Sequence, residues 1–305
     1  MQTDRIAPMS RITSPRLVAS GLALALLTGV AGALAQETKP SAAASASKAD
    51  TLRICASEAQ SPLSLKDESG LENRIAVALA EAMGRKAEFV WSSKPAIYLV
   101  RDYLDKNQCD VVIGLDTGDP RVATSKPYFR TGYVFVTKAE KNLDLKSWSD
   151  PRIKTFKHIA VPFGSPAEVM LKEIGEYEND MAYLYSLVNF RSPRNQYTQI
   201  DPARMIGEVA SGNAELASAF APDVARFVKS SPTPLRMTLI DDDSKRSDGQ
   251  KIGQHYDQSV GVRLSDKELL AQVNAGLDRA KPKIDQILTA EGVPLLPIVN
   301  PVAAH

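Results

Sequence analysis

Arg121 is the side chain best equipped to hold an anion. It sits in the polar turn Asp119-Pro-Arg-Val122, and its planar guanidinium offers paired donors that match a carboxylate or a phosphate. The same turn could equally present a rim arginine with no ligand. Gly164-Ser165 stands just before a helix, where free backbone N–H groups and the helix dipole favour an anion. An ordinary helix N-cap uses the same residues. Trp91, Tyr98, Tyr128, Tyr133 and Phe163 could line a cleft, although aromatics at strand ends more often belong to a core. Asp241-Asp-Asp243 with Asp248 offers the carboxylates a hard cation wants. Lys245 and Arg246 interrupt that spacing and no bidentate Glu closes the loop, so a solvated loop and no metal are expected.

The rest of the inventory is poor in catalytic groups. Three histidines (His158, His255, His305) and two cysteines (Cys55, Cys109) exclude Cys/His zinc clusters and leave little for a His-centred triad. No P-loop, G-x-G-x-x-G, G-x-S-x-G or H-E-x-x-H motif is present, so nucleotide and hydrolase chemistry lack their signatures. Glu168, Glu215 and His158 are scattered, with no motif to join them. The expectation is a binding protein with no catalytic residue and no cofactor of its own. The 305 residues carry 37 Lys+Arg against 36 Asp+Glu, a net charge of +1. That balance argues against a strongly basic nucleic-acid binder. A hydrophobic fraction of 44% is enough for a sizeable core.

The elements that must position these residues follow a βαβαβ pattern. Thr51–Ala56 reads as a strand, and Gly70 opens a helix in which Leu71, Ile75, Leu79 and Met83 recur every four residues before Gly84. Glu88–Trp91 is a second strand, Ala96–Asn107 a second helix, and Cys109–Gly114 a third strand. This order implies a parallel sheet flanked by helices. Lys126–Thr137 is an extended aromatic and β-branched stretch. A second α/β unit follows: strand His158–Val161, a helix to about Ile174, and an ambiguous segment Asn179–Arg194 expected to hold a helix and then a strand. Asp201-Pro202 caps a helix from Ala203 to Ser211. Then come strand Glu215–Phe220, a helix from Pro222 to Ser230 and strand Thr238–Ile240. Strand Gln258–Val262 and helices Ser265–Ala280 and Lys283–Ala290 have no sheet of their own, so the chain is expected to return to its first unit. Two lobes joined by two crossings leave a cleft between them as the natural ligand site.

At the N-terminus, Arg5, Arg11 and Arg16 precede an apolar run, Leu17–Leu34, that closes in Ala33-Leu-Ala35. This describes a secretory signal peptide over residues 1–35, with a flexible Ala/Ser-rich linker over 36–50. No later run is long and apolar enough to span a membrane. Export would permit a disulfide. Cys55 and Cys109 are either bridged or two buried thiols; on neighbouring strands they are expected near opposite ends.

The order of Thr51–Ala56, Gly70–Gly84, Cys109–Gly114, Asp119-Pro-Arg-Val-Ala-Thr-Ser-Lys-Pro-Tyr128 and Ile159-Ala-Val-Pro-Phe-Gly-Ser165 resembles the bacterial periplasmic solute-binding proteins of the amino-acid-binding type. Cys55, Gly70-Leu-Glu-Asn73, Gln108-Cys-Asp-Val-Val-Ile-Gly114, Thr124-Ser-Lys-Pro-Tyr-Phe-Arg130, Tyr133-Val-Phe-Val136 and Asp201-Pro-Ala-Arg204 are similar to its quinoprotein-dehydrogenase-associated branch. That branch holds the periplasmic J-proteins that accompany PQQ-dependent, calcium or lanthanide methanol dehydrogenases. The resemblance implies an α/β, two-lobed fold with a mostly parallel sheet in each lobe. Lobe 1 would take residues 51–136 and 258–296, lobe 2 residues 137–257, with a tail at 297–305. It implies a periplasmic, monomeric, non-catalytic accessory whose partner is the dehydrogenase, bound in or near the cleft. The alternative is a transporter-linked receptor for a small apolar or anionic solute. By resemblance Arg121 stands where a ligand carboxylate is clamped. Phe220 stands where the family's ammonium-binding Asp is expected, and Leu63 and Leu65 where a stacking aromatic is common. Zwitterion recognition is therefore expected to be lost. Arg121, Trp91, Tyr128, Phe163, Gly164, Ser165 and Phe220 are the candidate site residues.

Overall fold

The computed structural model describes residues 50–188 and 199–299. The expected signal peptide, nearly all of the linker, residues 189–194 of the ambiguous segment and the end of the tail lie outside the described residues.

Strand β1 (Thr51–Ser57) lies between β4 (Lys86–Ser92) and β5 (Val111–Asp116), parallel to both. Between β1 and β4 run a short hairpin, β2 (Ala59–Gln60) with β3 (Ser64–Leu65), and helix α1 (Leu71–Ala82). Leu71, Ile75 and Leu79 share one face of α1 and are all buried. Gly84, at φ +69°, ends the helix in a conformation that Gly adopts without the usual Cβ penalty. The second expected helix is instead a 3-10 turn at Ala96–Tyr98 followed by a wide π turn at Val100–Leu104. In the wide turn the Asp105 N–H donates to the Val100 carbonyl at 2.9 Å. That widening lets neighbouring Leu99 and Val100 both bury, together with Leu104.

After β6 (Ala123–Thr124) the long β7 (Phe129–Lys138) leaves the first sheet for the second. Residues 129–132 pair antiparallel with β11 (His255–Val262), whereas 133–138 pair antiparallel with β9 (Leu216–Phe220) and β10 (Leu235–Leu239). The parallel pairs of each lobe are thereby joined by antiparallel crossing strands into one curled sheet, in the order β4-β1-β5-β11-β7-β9-β8, where β8 is Ile159–Ala160. Helices α2 (Pro166–Glu173), α3 (Tyr177–Ser186), α4 (Pro202–Ser211) and α5 (Ala221–Ser230) belong to the second unit. Asp201 caps α4 as expected, its carboxylate accepting from the Ala203 and Arg204 N–H groups.

Helix α6 (Lys267–Glu291) is continuous across Pro282, where two pieces were expected. A proline inside a helix costs a hydrogen bond. Val273 and Leu277 before it and Ile284, Ile287 and Leu288 after it all bury in the same core, and this shared burial overrides the break.

There are two main cores. The first holds Leu52, Ile54, Ile75, Leu79, Val111, Val260 and the buried face of α6. The second holds Val134, Phe135, Val136, Trp148, Leu171, Ile206 and Leu216. Cys55 and Cys109 are bridged beside the first core, with Cα atoms 5.5 Å apart. The expectation of opposite strand ends is corrected here. Cys109 lies just before β5, and the Asp110 N–H donates to the Arg53 carbonyl, which draws it level with β1.

Helix α5 holds the two units together. Val224 packs into the second core and Ala225 into the first. Glu291 at the end of α6 is buried and accepts Arg226 of α5 at 2.8 and 2.9 Å and also Arg74 of α1. Arg226 further donates to the Ser69 carbonyl and Lys229 to the Ala290 carbonyl. Glu291→Gln removes the one negative charge that both guanidinia share. Breaking a buried ion pair costs several kcal/mol. These arginines reach solvent at 35% and 27% side-chain exposure, so the expected loss of stability is about 2–3 kcal/mol. Urea unfolding reads the loss, and small-angle scattering should show a larger radius of gyration. An unchanged midpoint with an unchanged radius would show that this triad does not hold the units together.

Candidate functional site: the cavity between the two cores

The crossing strands leave a cavity of about 340 Å³ between the two cores. The first unit contributes Leu63, Leu71, Glu72, Ile75, Gly114, Asp116 and Tyr128. The second contributes Pro166, Phe220, Pro222 and Asp223. Tyr133, Tyr256 and Gln258 come from the crossing strands, and Ile97 and Arg121 from the mouth. Tyr133, Phe220 and Tyr256 form an aromatic cluster, with ring centroids 5.8–6.1 Å apart.

The walls are mostly apolar, and the polar groups among them are mainly acidic. Burial, with a smaller contribution from nearby Asp223, pushes the Glu72 carboxyl up to about 8; burial pushes Asp223 itself to about 7. Asp116 is also raised by burial, partly offset by the hydrogen bond it accepts from Gln258 Nε2 at 2.6 Å. Gly114, at φ +75°, lies against the Glu72 carboxylate, which any Cβ at that position would strike. The Tyr128 and Tyr133 hydroxyls are raised by burial as well.

Of the candidates read from the sequence, the structure brings Arg121, Tyr128, Tyr133 and Phe220 to this cavity, and Tyr98 is not among its lining residues. Arg121 is not a free clamp. Its guanidinium grips Asp119 of its own turn, Nε to Oδ1 at 3.0 Å and Nη2 to Oδ2 at 2.6 Å, and Nη1 reaches the Ile97 carbonyl. Trp91, Phe163, Gly164 and Ser165 are not among the lining residues. Trp91 is on the edge strand β4, stacked on Phe89 with Lys66 over its ring. Phe163 packs on Tyr185. The start of α2 is already satisfied by the chain itself. Ser165 accepts from the Glu168 N–H, and the Gly164 N–H donates to the Glu168 carboxylate at 2.6 Å. Burial raises that carboxyl, but Lys172 and the Gly164 N–H outweigh it and hold it below its usual range. Glu168 thus takes the place at this helix start where the sequence suggested an external anion.

The scattered catalytic candidates also have structural partners. Glu215 accepts the backbone N–H groups of Lys157 and His158, and His158 Nδ1 lies 3.0 Å from Asp180. In the acidic loop, Asp242 accepts from Lys251 and from the Gln254 N–H. Sequence reading missed Glu72 and Asp223. Both occupy first-turn helix positions, where an acidic residue ordinarily answers the helix dipole in solvent, so nothing in the local sequence marks them as walled in.

Residues 52–289 match the model of bacterial extracellular solute-binding proteins, family 3. The chain is 63% identical over 294 residues to Protein MoxJ of Methylorubrum extorquens, covering 95% of this chain and 98% of that one. It is 47% identical over 258 residues to Protein MoxJ of Paracoccus denitrificans, covering 84% of this chain and 94% of that one. The solved structure of MxaJ from Methlophaga aminisulfidivorans MPT superposes with a TM-score of 0.77 at 47% identity, over 80% of this chain and all of that one. The fold, the cavity at the crossing strands and these similarities agree: the chain belongs to the family-3 bacterial extracellular solute-binding proteins, in the branch that holds the MoxJ proteins.

Proposed function

We propose that this chain is a non-catalytic periplasmic accessory of a PQQ-dependent methanol dehydrogenase system, calcium or lanthanide type. It would assist maturation or activation of the enzyme by binding it in or near the cleft. The observation that carries this reading is the 63% identity to a MoxJ protein along 95% of the chain. The altered cleft supports it. A zwitterion receptor needs a free cation for the carboxylate and an anion at the family's ammonium position. Here Arg121 is engaged by Asp119, and Phe220 occupies the second position. The mouth is apolar in part: Ile97 is 69% exposed at the rim, an unfavourable placement unless something covers it. Crosslinking and co-purification with the dehydrogenase test the reading. A complex together with impaired methanol oxidation on deletion supports it.

The mostly apolar lining of the cavity favours a second reading, a transporter-linked receptor for a small solute in a more apolar pocket. A thermal-shift screen with amino acids, organic acids and PQQ separates the two. A ligand present at a hundredfold its Kd adds about 2.7 kcal/mol of stability.

A further inference from the structure

Glu72 and Asp223 face the same cavity from opposite units, and nothing pairs them. Glu72 is in the first turn of α1 and Asp223 in the first turn of α5. Among the described residues neither carboxylate makes a hydrogen bond or an ion pair, and each feels the burial of the cavity. Two half-buried carboxyls side by side without a counterion are costly when both ionise. Among the described residues, Arg121 at the rim is the only basic side chain on the lining, and Asp119 already holds it.

A second observation points the same way. Tyr128 lines the cavity and is only 6% exposed, and among the described residues its hydroxyl proton has no acceptor, while the Gly114 N–H approaches its oxygen. It sits beside Gly114 and the Glu72 carboxylate, both on the same wall. A buried hydroxyl without an acceptor costs roughly 1–3 kcal/mol. A ligand nitrogen at this point would relieve the hydroxyl and both carboxyls together.

We propose that the cavity binds a small primary alkylammonium that carries no carboxylate, its nitrogen between Glu72, Asp223 and the Tyr128 hydroxyl and its alkyl chain against Tyr133, Phe220 and Tyr256. The cation supplies the charge that the two carboxyls lack, and aromatic faces attract a desolvated cation further. A cavity of about 340 Å³ is at the small end for organic ligands, which sets the size. A ligand carboxylate would meet Asp116 and an arginine already engaged, so amino acids and organic acids are disfavoured. The ammonium can come from a free amine or from a lysine side chain of a protein seated at the mouth. The cavity and its acidic pair exist whether or not the dehydrogenase reading holds.

The groups that face the two carboxyls are Asp116, Tyr128, Tyr133 and Tyr256, with the Arg121–Asp119 pair at the rim. Because the empty site holds protons on Glu72 and Asp223 near neutral pH, entry of the cation must expel some.

The test is calorimetric titration of the full chain at pH 7 with butylammonium, 1-pentanol, pentanoate and a lysine blocked at both backbone ends. Butylammonium is expected to bind at least about tenfold more tightly than 1-pentanol. Its heat should differ between phosphate and Tris buffers, by an amount that reports release of about one proton. Pentanoate should not saturate. The double variant Glu72→Gln, Asp223→Asn should lose at least about tenfold in butylammonium affinity without a lower melting temperature. Should it fail to fold, Tyr128→Phe is the second variant, with a several-fold loss expected. Blocked lysine binding as well as butylammonium supports the proposal with a protein side chain as the source; butylammonium alone binding supports it with a free amine. Equal affinity for 1-pentanol, affinity retained in the folded variants, or no saturation by either ammonium overturns it. Complex formation by the folded double variant with the dehydrogenase reports separately on the partner reading.

Discussion

Replacing Cys55 and Cys109 together by serine lowers the free energy of unfolding by about 4 kcal/mol. The bridge joins residues 54 apart in sequence, so it closes a loop that contains the hairpin, α1, β4 and the wide turn. A cross-link over that length removes much conformational freedom from the unfolded chain, and the effect grows with the logarithm of loop size. Both sulfurs belong to the small cluster with Leu99, Val100, Leu104 and Val112, so the gap is lined by apolar groups. Two buried serine hydroxyls would add their own cost there, and the alanine pair separates the two causes. Urea unfolding of wild type, serine pair and alanine pair, with and without a reductant, is the measurement. A drop below about 1 kcal/mol in the alanine pair would show that the bridge does not constrain the unfolded chain.

Raising the pH from about 5 to 8.5 destabilises the protein, and the cavity carboxyls are the main cause. The folded state keeps protons on Glu72 up to about 8 and on Asp223 up to about 7. An unfolded chain loses the same protons near the ordinary carboxyl range, about 4. Between those limits the folded state binds more protons, so its stability falls as the pH rises. The contribution is fully present below the unfolded value and is gone above the folded one. The raised Asp116 and Asp180 carboxyls act in the same direction. Asp110 and Glu168, held below their usual range by Arg53 and Lys172, and Asp242, held there by the Gln254 N–H and then Lys251, act only at lower pH. Because Glu72 and Asp223 are only half-buried, the loss is expected at roughly 2–4 kcal/mol. Urea midpoints at pH 5 and pH 8.5 measure it. Glu72→Gln with Asp223→Asn should flatten the slope and leave the variant more stable than wild type at pH 8.5. A wild-type stability that rises over this range contradicts the assignment of protons to the cavity.

Much of the fold is legible in the sequence because local signals and burial agree. The four-residue recurrence of Leu71, Ile75 and Leu79 and the Asp201-Pro202 start each predict an element that the structure contains. The return of the chain to its first unit follows from a strand, β11, that needs a sheet to join. Two elements departed from local rules. Pro282 reads as a break, yet apolar residues on both sides of it share one core. The Ala96–Asn107 stretch reads as a regular helix, yet burial of both Leu99 and Val100 widens the turn.

The site was harder to read. Arg121 and the start of α2 are sound anion-binding chemistry, and each is answered by a residue two or four positions away, Asp119 and Glu168. Local spacing shows such residues side by side but not which pairs close. Glu72 and Asp223 are 151 positions apart, and only the crossing strands bring their helix starts to one cavity. Phe220 was expected at the cleft from the resemblance, and the structure places it on the cavity wall.

The central claim is that this chain works by binding a methanol dehydrogenase. The most direct measurement is size-exclusion chromatography with light scattering on residues 36–305 mixed with the purified dehydrogenase, in its metal- and PQQ-loaded and unloaded forms. A complex of defined stoichiometry with at least one form, lost when Ile97 at the cleft mouth is changed to Asp, is the predicted result. No complex with either form at tens of micromolar, together with unchanged methanol oxidation when the chain is deleted, would contradict the account.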